Sequence, residues 1–401
     1  MSDIFIYDAL RTPLGKGNGE GALFEVRPVD LLSKCLRALQ QRQGIETHRV
    51  EDFLLGCMLP VSGQADNIAK TALLQAGWSA KVPGVQLNRF QTSGLSAILL
   101  GAAKVRAGWN NLIIVGGLES RSRIARENNR GAISSDPDIM TQIGSIPAGL
   151  AADLLATIEG FTKEQLDEYA FNSIQKAQKA VRENYFEQSI TPIYDQNNIS
   201  ILEKDETIPL EILSEDLSNQ ESVFGKINQG FEAVALTKYP LVERVKALHT
   251  LGHIAKPADS AALLLIGNHS IGQELSLKPR AKIIGINTTS TEFTIHHLGG
   301  IEAAKICLKR NNLTPNDIDL WYINESYAAP AILFQQTFNI KNADLNACGG
   351  NIAYGDASGA NGAILCGMLL NDLERRGHKR GLLAMSAEGG MGESLVIERL
   401  V

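Results

Sequence analysis

Two short apolar runs decide the fold: Asp52-Phe-Leu-Leu-Gly56 and Asp319-Leu-Trp-Tyr-Ile323. Each follows a polar, turn-forming stretch, residues 46–51 in one case and Leu313-Thr-Pro-Asn-Asp-Ile318 in the other. Each reads as a strand bounded by turn signals. Working outward, each run leads to a small-residue helix and a second apolar strand. After the first come Leu87-Asn-Arg-Phe-Gln-Thr-Ser-Gly94, a helix over Leu95–Ala107 and the strand Leu112-Ile-Ile-Val-Gly-Gly117. After the second come Leu345-Asn-Ala-Cys-Gly-Gly350, the Gly-rich 355–362, a helix through Leu370 and the strand Leu382-Leu-Ala-Met-Ser386. The spacings match: 36 residues from Leu55 to Gln91, 34 from Tyr322 to Asp356. Strand–helix alternation of this kind predicts an α/β fold in layers, with two repeated halves. Both helices are apolar nearly all round, as helices buried between layers are.

The repeat loosens between about 120 and 280. A helix is predicted over Thr162–Tyr185, with Thr162 and Gln165 as a capping box and Leu166, Tyr169, Ala170 and Ile174 on one face. Glu187–Gln229 is polar and turn-rich, the pattern of a functional excursion over a core. The expected division is an N-terminal half over 1–119, an inserted loop domain over 120–250, a return to the first half over 251–280, and a C-terminal half over 281–401.

Composition excludes several classes. Of 401 residues, 44% are apolar and 20% charged, which allows a large core and rules out global disorder. A net charge of −6 gives no footprint for nucleic acid or an anionic membrane. The longest uncharged stretches, such as Ala357–Asn371, stop at 15 residues and fall short of the ~20 that span a bilayer. The N-terminus carries no export signal pattern. Five scattered cysteines without Cys-x-x-Cys point to reduced thiols in a cytoplasm-like compartment, and no pattern points to a metal or a resident cofactor. Asp8 and Arg11 read as a structural pair on an N-terminal strand.

Five segments resemble one family, the thiolases, which make or break C–C bonds in 3-oxoacyl-CoA thioesters. Asp8-Ala-Leu-Arg-Thr-Pro-Leu-Gly15 is similar to the family's Asp-Ala-x-Arg-Thr-Pro-x-Gly. Asn88-Arg-Phe-Gln-Thr-Ser-Gly94 resembles its nucleophile segment, Asn-Arg-x-Cys-x-Ser-Gly. Asn324-Glu-Ser-Tyr-Ala328 resembles Asn-Glu-Ala-Phe-Ala. The stretch Gly349–Gly362 resembles Gly-Gly-x-Ile-Ala-x-Gly-His-Pro-x-Gly-x-Ser-Gly, and Ser386-Ala-Glu-Gly-Gly-Met-Gly392 resembles Cys-x-Gly-Gly-Gly-x-Gly. The resemblance runs almost end to end. It implies the five-layered αβαβα thiolase fold with a loop domain over a CoA channel, and a homodimer or homotetramer.

The same alignment of motifs implies altered chemistry. Gln91 stands at the nucleophilic Cys, Asp356 at the activating His and Ser386 at the second Cys. A thiolate forms acyl thioesters; an amide does not. Asn324, which in the family orients an oxyanion-hole water, is kept, and His296 falls in a loop bordering the reaction chamber. On the CoA side, His253, Ala255 and Lys256 lie in the stretch that borders pantetheine, and Ala148 lies in the counterpart of a His-Met-Gly segment. Lys256 offers a cation to a phosphate. Cys35, Cys57, Cys307, Cys348 and Cys366 read as small core residues. Three readings follow. The protein acts on acyl-CoA by non-covalent decarboxylation, hydrolysis or retro-Claisen cleavage, with Gln91 stabilising an enolate. Or it is an inactive acyl-CoA binder or partner subunit of an active thiolase. Or acetyl transfer survives through another nucleophile such as Thr92.

Overall fold

The computed structural model describes residues 3–124, 131–209, 211–227 and 230–400. Positions 210, 228 and 229 of the predicted polar excursion lie outside the described residues. The described residues form twelve strands: β1 (Ile4–Arg11), β2 (Gly15–Lys16), β3 (Asp52–Gly56), β4 (Val85–Leu87), β5 (Leu112–Ser120), β6 (Ile193–Tyr194), β7 (Ser200–Leu202), β8 (Ala258–Gly267), β9 (Ala281–Ser290), β10 (Leu320–Ile323), β11 (Arg380–Ser386) and β12 (Met391–Arg399). Ten of them form one continuous sheet in the order β10-β11-β12-β9-β1-β8-β5-β3-β4, with β2 beside β8.

The order contains the repeat. From β3, the pairings run parallel to β5, antiparallel to β8 and antiparallel to β1. From β10 they run parallel to β11, antiparallel to β12 and antiparallel to β9. The two sub-sheets join where Ile4–Ile6 of β1 pair with Ala281–Ile283 of β9. Helices Ser93–Arg106 and Asn361–Arg376 pack on each other between them. Pro28–Gln43 and Ile68–Gln75 cover the outside of the first sub-sheet, and Gly299–Arg310 covers the outside of the second. The result is the mixed, layered α/β fold the repeat predicts. β5 continues three residues beyond the predicted Gly117, because Leu118, Glu119 and Ser120 pair with Ala261, Ser260 and Asp259.

Glycine lets the two central helices start against each other. A Cβ on Gly94 would lie 2.5 Å from the Gly359 carbonyl oxygen, and one on Gly362 would lie 2.1 Å from Leu95 N. No side chain fits such an approach.

The middle segment contains the predicted helix as Lys163–Arg182, with the Thr162–Gln165 capping box formed. The expectation for Asp8 and Arg11 needs correction. Both lie on β1, but three residues apart on a strand their side chains face opposite sides. Asp8 instead takes Arg42 and Gln43, each at 2.8 Å. Arg11 forms a bidentate pair with Asp205 (2.6 and 2.8 Å), which ties the excursion to the first sub-sheet. The stretch Pro137–Ile158 is long and apolar enough to cross a membrane by composition. It is broken at Gly144 (φ 68°) into two helices, and most of it is buried within the molecule.

Candidate active site

Parallel strands aim their carboxyl ends at one place in both halves, the position where α/β sheets form their crevices. Met58 follows β3, Arg121 follows β5, Asn324 follows β10 and Ser386 ends β11. Two strained turns add to this. Phe90 holds φ 48°, fixed by the Asn88 side chain accepting its N–H at 2.8 Å, and so presents Gln91 just before the Ser93–Arg106 helix. Ser358 holds φ 38° and donates its N–H to Asp356 Oδ1 at 2.6 Å. Non-glycine residues in this region of φ cost of order 1–3 kcal/mol each, and such strain concentrates at functional sites.

These elements enclose a cavity of about 350 Å³. Gln91, Asp356, Ser386 and His296 all line it, with Ala148 and Ala255 on its wall. Four of the five predicted catalytic residues and two of the four predicted CoA-facing ones therefore meet. Lys256 is exposed and opens onto an adjoining groove of about 420 Å³ with mostly apolar walls. Gly355 and Lys256 line that groove while Asp356 and Ala255 line the cavity, so the two spaces abut.

The others are placed differently. Asn324 lies behind the cavity, and its amide is committed: Oδ1 accepts Ser386 N–H and Nδ2 donates to the Ser386 carbonyl, both at 2.9 Å. His253 is fully buried and faces Asp167 at 2.6 Å, while its other ring nitrogen accepts Thr250 N–H. It lines neither space. Thr92 is also fully buried, and its hydroxyl donates to the Arg89 carbonyl at 2.9 Å. None of the five cysteines lines the cavity; all are free and buried. Cys57 comes nearest, beside Met58, and burial next to Glu119 pushes its thiol far above the range of a reactive thiolate.

The polar groups inside are specific. Gln91 Oε1 accepts the backbone N–H of Glu388 at 3.0 Å, and its Nε2 lies 3.5 Å from Glu388 Oε1. Burial pushes the Glu388 carboxyl up, with Gln91 and Arg121 opposing. Asp356 Oδ1 also accepts Asn361 Nδ2 at 2.5 Å. Ser386 Oγ donates to the His297 carbonyl at 2.7 Å and accepts Gly300 N–H at 2.9 Å, so the hydroxyl is held. His296 is buried, not on the surface, and its Nε2 has no partner. Burial lowers its pKa to about 4. Contact with the Phe293 backbone opposes that shift. His297 is likewise pushed well down by burial and lies 3.0 Å from the Ala148 carbonyl.

Over its whole length the chain is similar to known proteins. Residues 4–231 match the family model described as "Thiolase, N-terminal domain", and 277–399 match "Thiolase, C-terminal domain". The chain belongs to the thiolase family. Among its relatives is a 3-ketoacyl-CoA thiolase of Photorhabdus laumondii, 30% identical over 409 residues and covering all of both chains. An acetyl-CoA acetyltransferase of Cupriavidus necator is 28% identical, again over all of both. The crystal structure of the Bacillus anthracis acetyl-CoA acetyltransferase superposes with a TM-score of 0.86, at 27% identity, covering 100% of this chain and 99% of that one. This thiolase-family site contains residues that motif reading passed over: Glu388, Arg121, His297 and Tyr327. Glu388 carried a signal. It occupies the first glycine of the Cys-x-Gly-Gly-Gly-x-Gly pattern, so a carboxylate stands where the pattern has no side chain. Arg121 carried none beyond following a strand.

Proposed function

We infer that this thiolase-family protein takes acyl-CoA thioesters and acts on them without forming an acyl-enzyme. The observation that carries this is the cavity itself. It gathers an amide, two carboxyl groups and an imidazole with a free nitrogen, and no thiol reaches it among the described residues. In this reading the adjoining apolar groove takes the pantetheine arm, with Lys256 at its mouth for a phosphate.

The groups suit enolate chemistry. On a malonyl-type thioester the bond between Cα and the carboxylate breaks. Its electron pair moves to the thioester oxygen, where Gln91 Nε2 donates a hydrogen bond, and carbon dioxide leaves. Preorganised donors of this kind supply a few kcal/mol of transition-state stabilisation. The proton held by the Glu388 carboxyl then passes to Cα, and solvent restores it. A carboxyl raised by burial suits that step. Hydrolysis and retro-Claisen cleavage would use the same chamber, with His296 Nε2 taking a proton from water.

One observation favours a non-catalytic acyl-CoA binder or partner subunit. The Gln91 amide is engaged by Glu388 at both ends, Oε1 accepting its N–H and Nε2 lying 3.5 Å from its Oε1, so a thioester oxygen must compete for Nε2. Retained acetyl transfer through Thr92 draws no support from a hydroxyl that is buried and bonded. Incubation with malonyl-, acetyl- and 3-oxoacyl-CoA, with products followed by mass spectrometry, separates the readings. Conversion of any ester supports catalysis; a thermal shift with CoA but no conversion supports the binder; neither result would sink both. Self-association is a further part of this reading. β4 is an end strand of the sheet with Val85 exposed, and Leu100 is exposed on the adjacent helix. Light scattering is expected to show a dimer or tetramer. The buried free thiols agree with a reducing, cytoplasm-like compartment.

A further inference from the structure

Arg121 has no assigned task, and its surroundings limit what that task can be. It lies just beyond β5 and lines the cavity with Gln91, Asp356 and Glu388. Its backbone is fixed: Asp259 on β8 accepts the N–H of Ser122 at 2.9 Å and that of Arg121 itself. The guanidinium makes one hydrogen bond, from Nη1 to Ser358 Oγ at 3.2 Å. Among the described residues no carboxylate oxygen lies within 4.0 Å of it.

Glu119 and Asp259 are committed elsewhere, and Asp356 and Glu388, which share the cavity, lie beyond ion-pair distance of the guanidinium. Glu119 accepts Met58 N–H, Gly359 N–H and Gln64 Nε2, and burial pushes its carboxyl up to about 7. Asp259 is held by Ser122 as well as by the backbone. Asp356 spends Oδ1 on Ser358 and Asn361. Met58, Ile254, Ala255 and Ala387 supply the apolar part of the cavity lining. A half-buried guanidinium on an anchored backbone, with unused N–H donors facing the cavity, matches the planar fork of a carboxylate.

We propose that the acyl group this cavity receives carries a carboxylate of its own, bound by Arg121, so that the substrates are carboxyacyl-CoA thioesters. The proposal rests on the acyl-CoA reading above and names its substrate class. Malonyl- and succinyl-type esters both fit the description. The carboxylate is the acyl group's and not a CoA phosphate, since Lys256 at the groove mouth serves that end.

Binding to the purified full-length protein tests this, by calorimetry with CoA, acetyl-, butyryl-, malonyl- and succinyl-CoA. The wild type is expected to bind the two carboxyacyl esters about tenfold more tightly than the two neutral ones, near 1.4 kcal/mol. Arg121→Gln should abolish that preference while leaving CoA and the neutral esters within about twofold. Arg121→Lys, which keeps the charge but loses the fork, should lose several-fold on the carboxyacyl esters only, and carries the test if Arg121→Gln does not fold. Equal affinities in the wild type, a preference that survives in Arg121→Gln, or an equal loss for CoA itself would each overturn the assignment. Those results leave the acyl-CoA reading standing. Failure of CoA and every ester to bind the wild type overturns both.

Discussion

Tyr327 touches two pairs of histidines that were built for opposite ends. Its ring centroid lies 5.7 Å from His249 and 5.1 Å from His297. On one side, His249 and His253 are wholly buried and wholly satisfied. His249 Nδ1 faces Asp153 at 2.7 Å and its Nε2 accepts Ala329 N–H; His253 uses both nitrogens on Asp167 and Thr250. On the other side, His296 is nearly as buried, yet one nitrogen has no partner. Buried polar atoms are almost always paired, so the pair that is complete holds the inserted segment down, and the incomplete one belongs to a cavity.

The largest expected effect lies on the complete side. Asp153 accepts Leu248 N–H and His249 N–H at 3.0 Å as well as the His249 ring. Asp153→Ala strands three buried groups, and breaking such a pair costs on the order of 3–5 kcal/mol. Urea denaturation measures it; a loss below about 1 kcal/mol would erase the distinction between the pairs.

This contrast also marks what the sequence could and could not disclose. β3, the capping box at Thr162 and the two small-residue helices buried between layers were legible, because periodicity, caps and small-residue runs are local patterns. His253 was expected to face CoA, since it sits in the right motif; its partner Asp167 lies 86 residues away, and no local pattern announces it. The Arg11–Asp205 pair escaped for the same reason, with 194 residues between the partners. Glu388 is a different case. A charged side chain in a glycine position was visible in the motif itself, and its meaning became plain only when the fold set it against Gln91.

The next effect sharpens the cavity side. Glu388→Gln keeps the shape and the bond to Gln91 but removes the proton. Turnover of any converted ester is expected to fall by about 10²-fold or more, with the unfolding midpoint almost unchanged. Equal rates would remove Glu388 from the chemistry. Restoring thiolysis is a related probe: Gln91→Cys with Asp356→His and Ser386→Cys should gain activity only when Glu388→Gly clears the added carboxylate, measured as cleavage of acetoacetyl-CoA by CoA.

His296→Phe is expected to change stability by less than about 1 kcal/mol, because replacing an unpartnered nitrogen by carbon removes a desolvation cost that Asp153 never carried. A large loss in denaturation would show that the ring's contact with the Phe293 backbone is structural.

The last effect is in pH. Burial holds His253 and His296 near pKa 4, below their ordinary 6.5. Unfolding lets them bind protons, so this part of the stability is whole above about pH 6.5 and drains as pH falls towards 4. Glu119 acts in the reverse sense. Its carboxyl is raised from 4.5 to about 7, so its part is whole below about pH 4.5 and drains as pH rises towards 7. Midpoints at about pH 4.5, 5.5 and 7 should therefore show a shallower acid-side loss in His296→Phe and a shallower loss towards neutrality in Glu119→Gln.

Mass spectrometry of the intact protein and of the small molecules, from one incubation with malonyl-CoA and acetoacetyl-CoA, bears most directly on chemistry without a covalent intermediate. The expected outcome is a converted CoA ester beside a protein of unchanged mass. A protein heavier by an acyl group, at Thr92 or any cysteine, would contradict it.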